Sequence, residues 1–180
     1  MKSSNIALVG FMGTGKTSAG QELAKKLGWQ FVEVDALIEH MAGKSIPDVF
    51  AQNGEIAFRE WEIEAIKQVA RGKKQVIACG GGVVLNTINI ARLKETSVMV
   101  LLTASPDTVL KRTASDRDTR PMLMDATDPA SRIKELLKFR KPYYERAADI
   151  IVNTSKLSLN TVADLIIQKL REYEGFDFQK

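Results

Sequence analysis

Gly10-Phe11-Met12-Gly13-Thr14-Gly15-Lys16-Thr17 decides the fold of this chain. The apolar run Ile6 to Val9 leads into it, and a helical pattern from Ser18 to Leu27 follows. This is G-x-x-x-x-G-K-[ST] in a strand–loop–helix setting, the P-loop pattern. Glycines let the backbone curl so that successive N–H groups face an anion at a helix N-terminus. A side chain at Gly13 or Gly15 would crowd phosphate oxygens or resist the required backbone angles. Lys16 brings a positive charge to the β- and γ-phosphates, and the Thr17 hydroxyl is a hard oxygen suited to Mg²⁺. The pattern therefore predicts a nucleoside triphosphate site over Gly13, Thr14, Gly15, Lys16, Thr17 and Ser18.

Outward from that loop, apolar runs alternate with helical patterns, which predicts a parallel sheet with crossover helices. The expected strands are Asn5–Val9, Gln30–Val34, Gln75–Cys79, Ser97–Thr103 and Asp149–Val152. Expected helices are Lys16–Leu27, Asp35–Ala42, Ile46–Gln52, Glu55–Arg71, Thr87–Lys94, Pro106–Thr113, Pro129–Arg146 and Ser158–Glu174. Gly28 follows two lysines, as a helix C-terminal cap does. In a doubly wound sheet, ligands sit outside the carboxyl ends of the strands, so the residues just after each strand carry the functional reading.

After the second strand come Glu33 and Asp35. Strand alternation puts both on one side, toward the P-loop. Two carboxylates there suit two tasks, one in the Mg²⁺ shell and one accepting a proton from a substrate hydroxyl. Asp35 equally suits a cap on a helix starting at Ala36, and the sequence leaves both readings open. Arg59 and Glu62 stand three apart on one helix face. They form either a plain ion pair or an arginine oriented for bidentate capture of a carboxylate. Gly80-Gly81-Gly82 follows the third strand, where a ligand can approach the backbone closely. The strand ends in Cys79 and not in an aspartate, so any acidic contact to the metal falls to Glu33 or Asp35. Cys79 itself reads as a small buried hydrophobe. Lys111 to Asp128 loses its apolar period and is rich in arginine, which fits either a solvated loop or a lid closing over phosphates. Arg140 is either a helix-end cation or a second anion contact. His40, the single histidine, is given no chemistry.

Size and charge limit the alternatives. A chain of 180 residues, 44% hydrophobic and 27% charged, fits one globular domain. A net charge of +4 and a pI of 9.2 point to acidic partners, which small phosphorylated ligands satisfy. No stripe of lysines and arginines interleaved with aromatics points to nucleic acid. One cysteine excludes an internal disulfide. No apolar run is long enough to span a bilayer, and Met1 to Asn5 leaves no room for a signal peptide before the first strand. A cytoplasmic location is expected.

Together these residues resemble the shikimate kinases. The resemblance runs from Ile6 to about Leu170 and rests on six stretches: 10–17, 33–35, Phe58-Arg59-Glu60-Trp61-Glu62, 80–82, Arg120-Pro121-Met122-Leu123, and Arg140-Lys141-Pro142-Tyr143-Tyr144. It implies a P-loop three-layer α/β/α fold, with a five-stranded parallel sheet in the order 2-3-1-4-5. It implies one domain over 1–180, with a substrate-binding helical segment at 35–71 and a lid at 112–127. The implied reaction is ATP- and Mg²⁺-dependent phosphorylation of the 3-hydroxyl of shikimate, on the way to chorismate and the aromatic amino acids. Carried residue by residue, Asp35 contacts the substrate hydroxyls as base, and Arg59 and Arg140 grip the shikimate carboxylate. Gly81 and Gly82 line that pocket, Glu62 orders the arginine, Arg120 reaches the phosphates from the lid, and Arg112 lies against adenine. The family has Asp-x-Asp where this chain has Glu33-Val34-Asp35, so the metal contact of Glu33, expected through water, is one methylene longer. A gluconate kinase, a nucleoside monophosphate kinase and a non-catalytic nucleotide-binding module are the rival readings. The chain is expected to act as a monomer, without nucleic-acid or membrane partners.

Overall fold

The computed structural model describes residues 3–114, 127–176 and 178. Five strands, β1 (Asn5–Val9), β2 (Gln30–Glu33), β3 (Gln75–Ala78), β4 (Ser97–Thr103) and β5 (Ile150–Asn153), form one parallel sheet in the order β2-β3-β1-β4-β5. The helices are α1 (Lys16–Leu27), α2 (Val34–Ala42), α3 (Ile46–Val69), α4 (Thr87–Thr96), α5 (Pro106–Thr113), α6 (Pro129–Ala147) and α7 (Leu159–Glu172).

The central strands β1, β3 and β4 are buried except at Gln75 and Thr103, because helices cover both faces, as an all-parallel sheet requires. Strand alternation divides the core in two. Ile6, Leu8, Val76, Val98, Val100 and Leu102 face α1 and α7, where Leu23, Val162, Ile166 and Leu170 close the layer. Ala7, Val9, Ile77, Met99 and Leu101 face the opposite way, against Val34, Ile38, Phe58, Ile66, Leu93, Ile133 and Leu136. Edge strand β5 shows the half-buried alternation expected where one face is open. From β1 the chain crosses to β2 on one side, and from β3 it crosses back to β4 on the other. The strand order reverses beside β1, which places the P-loop at the switch point.

Two boundaries bear on the site, and the first differs from the sequence expectation. Strand β2 ends at Glu33, and Val34 is already helical, so Asp35 lies inside the first turn of α2. Val34 and Ile38, one turn apart, are both fully buried, and their packing draws the helix start forward. Strand alternation therefore does not relate Glu33 to Asp35. The capping reading of Asp35 also fails, because Glu33 occupies the N-cap position and makes no side-chain cap bond. The two helices expected at 46–52 and 55–71 are present within the span α3 and meet at a kink at Gly54, whose φ of 79° and ψ of 175° are non-helical. Gly54 thus turns the charged half of α3, which carries Arg59 and Glu62, relative to its first turns.

Candidate active site

The loop 10–17 takes backbone angles that explain its glycines. Gly10, Gly13 and Gly15 have φ of 147°, 73° and 89°. At Gly10 a Cβ would also stand 2.3 Å from the Leu102 carbonyl oxygen, so β4 closes the loop from below. Gly15 directly precedes α1, whose first N–H groups lead out of the loop toward the cavity. Lys16 Nζ donates to the carbonyls of Gly10 and Phe11 at 2.9 and 3.0 Å, which holds the ammonium across the loop. Thr14 is buried, and its Oγ1 donates inward to the Phe11 carbonyl at 2.8 Å. Its part in phosphate binding is left to its backbone.

A cavity of about 880 Å³ opens over this loop. Of the sequence-expected residues, Gly13, Gly15, Lys16, Thr17, Ser18, Glu33, Asp35, Gly81 and Arg112 line it. Thr17 Oγ1 donates to Glu33 Oε1 at 2.5 Å. The Thr17 hydroxyl and the Glu33 carboxylate are hard oxygens, and together they would suit a Mg²⁺ ion, with Glu33 acting through water. Arg112 runs along the rim, donating through Nη1 to the Gly13 carbonyl at 3.2 Å and to Thr154 Oγ1 at 3.1 Å. Its Nη2 donates to the Thr154 carbonyl at 2.9 Å. Thr154 in turn donates to the Thr14 carbonyl at 2.8 Å, so the loop after β5 is tied to the P-loop. Arg112 is exposed as a residue, and a guanidinium is a planar group on which an aromatic base can stack.

Arg59, Glu62, Gly82 and Arg140 do not line that cavity. They form a cluster next to it, joined to it through the glycine floor. A Cβ at Gly80 would meet Asp35 Oδ1 at 2.7 Å and Glu62 Oε1 at 3.4 Å. At Gly82 it would strike the Arg59 guanidinium at 2.5 Å, so the glycine lets Arg59 lie on the backbone. Gly81 is the junction. It lines the cavity, and its carbonyl accepts from Arg140 Nη1 at 3.3 Å and from the Tyr144 hydroxyl at 2.5 Å.

The electrostatics of the cluster are unusual for a cationic pocket because its acid is the most deeply buried member. Glu62 is fully buried, and Arg59 Nη1 donates to its two oxygens at 3.3 and 3.2 Å. Burial outweighs the attraction of Arg59 and pushes the Glu62 carboxyl up to about 7, with Asp35 adding repulsion. Arg59 loses some proton affinity to burial, but Glu62 and Glu55 together more than restore it, and it stays charged. Glu55 Oε1 accepts from Arg59 Nη2 at 2.8 Å on the solvent side. Arg140 is buried against the Phe11 ring, and its Nε has no hydrogen-bond partner among the described residues. A buried guanidinium with unspent donor capacity, reached through a glycine floor, suits a ligand carboxylate. Burial also pushes the Tyr144 hydroxyl up to about 12, so it stays a neutral donor, and raises the Cys79 thiol far above its ordinary range. Cys79 is inert, as the sequence indicates.

A stability test follows from Glu62. Its carboxyl is raised in the folded state from 4.5 to about 7. Its contribution is therefore most favourable below pH 4.5 and is lost as pH rises through 7. The unfolding free energy of the wild type relative to Glu62→Gln should fall by about 3 kcal/mol between pH 4.5 and 8. Urea melts of both proteins across that range measure it, and a pH-independent difference contradicts it.

Tyr144 and Thr154 were not singled out from sequence. Tyr144 was legible, because it stands four residues after Arg140 on the same helix face. Thr154 gave no local signal, since its partners Thr14 and Arg112 lie 140 and 42 residues away. Arg120, with residues 115–126 of the expected lid, lies outside the described residues.

The shikimate kinase family model matches residues 12–171. A shikimate kinase of Thermodesulfovibrio yellowstonii is 47% identical over 170 residues, covering 94% of this chain and 95% of that protein. One of Caldanaerobacter subterraneus subsp. tengcongensis is 42% identical over 171 residues, covering 95% and 98%. Among solved structures, the shikimate kinase of Acinetobacter baumannii in complex with shikimate superposes with a TM-score of 0.91 at 34% identity, covering 96% of this chain and 95% of that one. The Aquifex aeolicus shikimate kinase gives 0.80 at 31% identity, covering 93% and 96%.

Proposed function

We propose, from the premise that this chain belongs to the shikimate kinase family, a division of its side chains among the steps of one reaction. The reaction is ATP-dependent phosphorylation of the 3-hydroxyl of shikimate, within aromatic amino acid biosynthesis, and family members use ATP with Mg²⁺. The assignment is carried by one observation: Asp35 and the Arg59–Glu62–Arg140 cluster meet across the same three glycines, beside the P-loop.

A secondary alcohol is a poor nucleophile at neutral pH. The site has to align it with the γ-phosphorus, take its proton and neutralise phosphate charge. The new bond joins the substrate oxygen to phosphorus, the bond to the β-phosphate oxygen breaks, and the hydroxyl proton goes to Asp35. Lys16 and the backbone N–H groups of residues 13–18 hold the phosphates, and Thr17, with Glu33 through water, would hold Mg²⁺, which supplies charge compensation on the phosphate oxygens. Arg112 carries the adenine. Arg59 and Arg140 bind the shikimate carboxylate, Glu62 orients Arg59, and Gly81 and Gly82 let the ring approach the backbone. Arg120, assigned from sequence alone, contacts the phosphates.

The chain functions as one domain, with residues 35–71 supplying the acceptor side and 112–127 the lid. It acts in the cytoplasm as a monomer; no helix among the described residues is long and apolar enough to cross a membrane.

Glu33 tests the metal assignment. Glu33→Asp shortens the carboxylate that touches Thr17, so the Mg²⁺ concentration for half-maximal rate shifts while kcat stays within about tenfold, the span of one hydrogen bond. A loss as deep as that of an Asp35 variant contradicts the separate roles of the two acids. The whole reading is tested by coupled ADP release with shikimate, gluconate and nucleoside monophosphates as acceptors. Turnover is expected with shikimate and background with the rest. Turnover with another acceptor would leave the P-loop assignment standing and refute the acceptor site.

A further inference from the structure

We infer that Asn89, on the first turn of α4, is the positioning residue that holds the Glu62 carboxylate aimed at Arg59 and favours its ionised form. The inference rests on the proposed pairing of Arg59 with the substrate carboxylate and extends it by one residue. Asn89 is fully buried, and its Nδ2 donates to Glu62 Oε2 at 3.3 Å. The other donor to that oxygen is Arg59 Nη1, at 3.2 Å. Asn89 is thus the neutral donor to a carboxylate that has no access to water. Its own Oδ1 is buried without a hydrogen-bond partner among the described residues. A buried amide with one unpaired atom is costly to keep for packing alone. That atom gains a use if Glu62 takes up a proton: turning the amide over puts Oδ1 where it accepts from the carboxylic acid. Asn89 can serve both protonation states, but its bond to the carboxylate is charge-assisted and the stronger of the two.

Charged and titratable groups face Glu62 from every side. Arg59 comes from its own helix, Asp35 from α2, Arg140 and Tyr144 from α6, and Cys79 from the end of β3. On α4, Arg92 is turned to the Ile63 carbonyl at 3.2 Å, which leaves Asn89 as the group of that helix bonded to the carboxylate. Burial already holds Glu62 close to half-ionised at neutral pH. A donor placed on the carboxylate, as Asn89 is, favours its ionised form. A substrate carboxylate entering at Arg59 adds a negative charge beside Glu62 and should draw a proton onto it.

Calorimetric titration of shikimate into the protein without nucleotide, in buffers of different ionisation enthalpy, counts that proton. In the wild type, uptake is expected to peak at or just above pH 7. In Asn89→Leu the peak should move up by about one pH unit, the tenfold change in proton affinity expected from one charge-assisted hydrogen bond. Asn89→Ser, which is shorter and remains polar, should shift it in the same direction and covers the case in which the leucine variant does not fold. Glu62→Gln should abolish the uptake with or without Asn89. An unmoved peak in folded Asn89 variants, or uptake that survives Glu62→Gln, overturns the inference. Arg59→Leu separates this from failure of the underlying reading. If that variant binds shikimate as tightly as the wild type, the carboxylate pairing itself is wrong. If its binding weakens while the Asn89 variants leave the peak in place, the role of Asn89 alone is wrong.

Discussion

Replacing Asp35 by asparagine should lower kcat by a factor of about 10² to 10⁴, the usual range for a lost general base, and leave the KM for ATP unchanged. Asparagine keeps the size and the hydrogen-bonding reach of the side chain but cannot take up the hydroxyl proton. Asp35 stands in the first turn of α2, in the wall of the P-loop cavity, and reaches the glycine floor, where its Oδ1 lies 2.7 Å from the Cβ position of Gly80. Among the described residues, two other carboxylates of the site already have partners. Glu33 is engaged with Thr17, and Glu62 is turned toward Arg59 and Asn89. Asp35→Ala should be at least as damaging. Steady-state kinetics with saturating ATP measures the loss, and a drop of less than tenfold at normal shikimate KM would mean that Asp35 only orients the hydroxyl.

Arg140→Leu should lower kcat/KM for shikimate roughly thirtyfold, equivalent to about 2 kcal/mol for a charge-assisted contact to a carboxylate, with little change for ATP. The variant is informative because leucine leaves no uncompensated buried charge behind. Arg140 packs on Phe11 and gives one hydrogen bond to the Gly81 carbonyl, which Tyr144 continues to satisfy. The glycine floor should hold its place, and the loss should then report the ligand contact. Thermal unfolding of the variant checks this: a melting temperature close to wild type assigns the kinetic loss to binding.

The parts of this account that were legible in sequence share a physical cause. The P-loop could be read because three left-handed or extended glycine positions, an anchoring lysine and a hydroxyl are required together within eight residues. The sheet could be read because strands buried on both faces are continuous apolar runs. The burial of Glu62 is a structural finding: it falls in the stripe Phe58, Glu62, Ala65, Ile66, Val69 that α3 presents to the core. Asp35 was placed on the right side of the site for a wrong reason. Val34 suits a strand as well as a helix, so only its tertiary packing with Ile38 shows where β2 gives way to α2. The side chain of Thr14 turned inward to a backbone carbonyl, which a motif read as a string of residue types does not encode. Thr154 and Asn89 act through partners brought together by the sheet order and by the packing of α3 on α4, and no spacing along the chain announces such contacts.

The central claim is that two arginines read a substrate carboxylate while Asp35 serves the hydroxyl. Comparing shikimate with its carboxamide on the wild type and on Arg140→Leu tests it most directly. The wild type should prefer the acid by roughly thirtyfold in kcat/KM, and the variant should lose most of that preference. If Arg140→Leu slows both acceptors by the same factor and keeps the preference, the carboxylate is not read at Arg140 and the acceptor site has been assigned to the wrong residues.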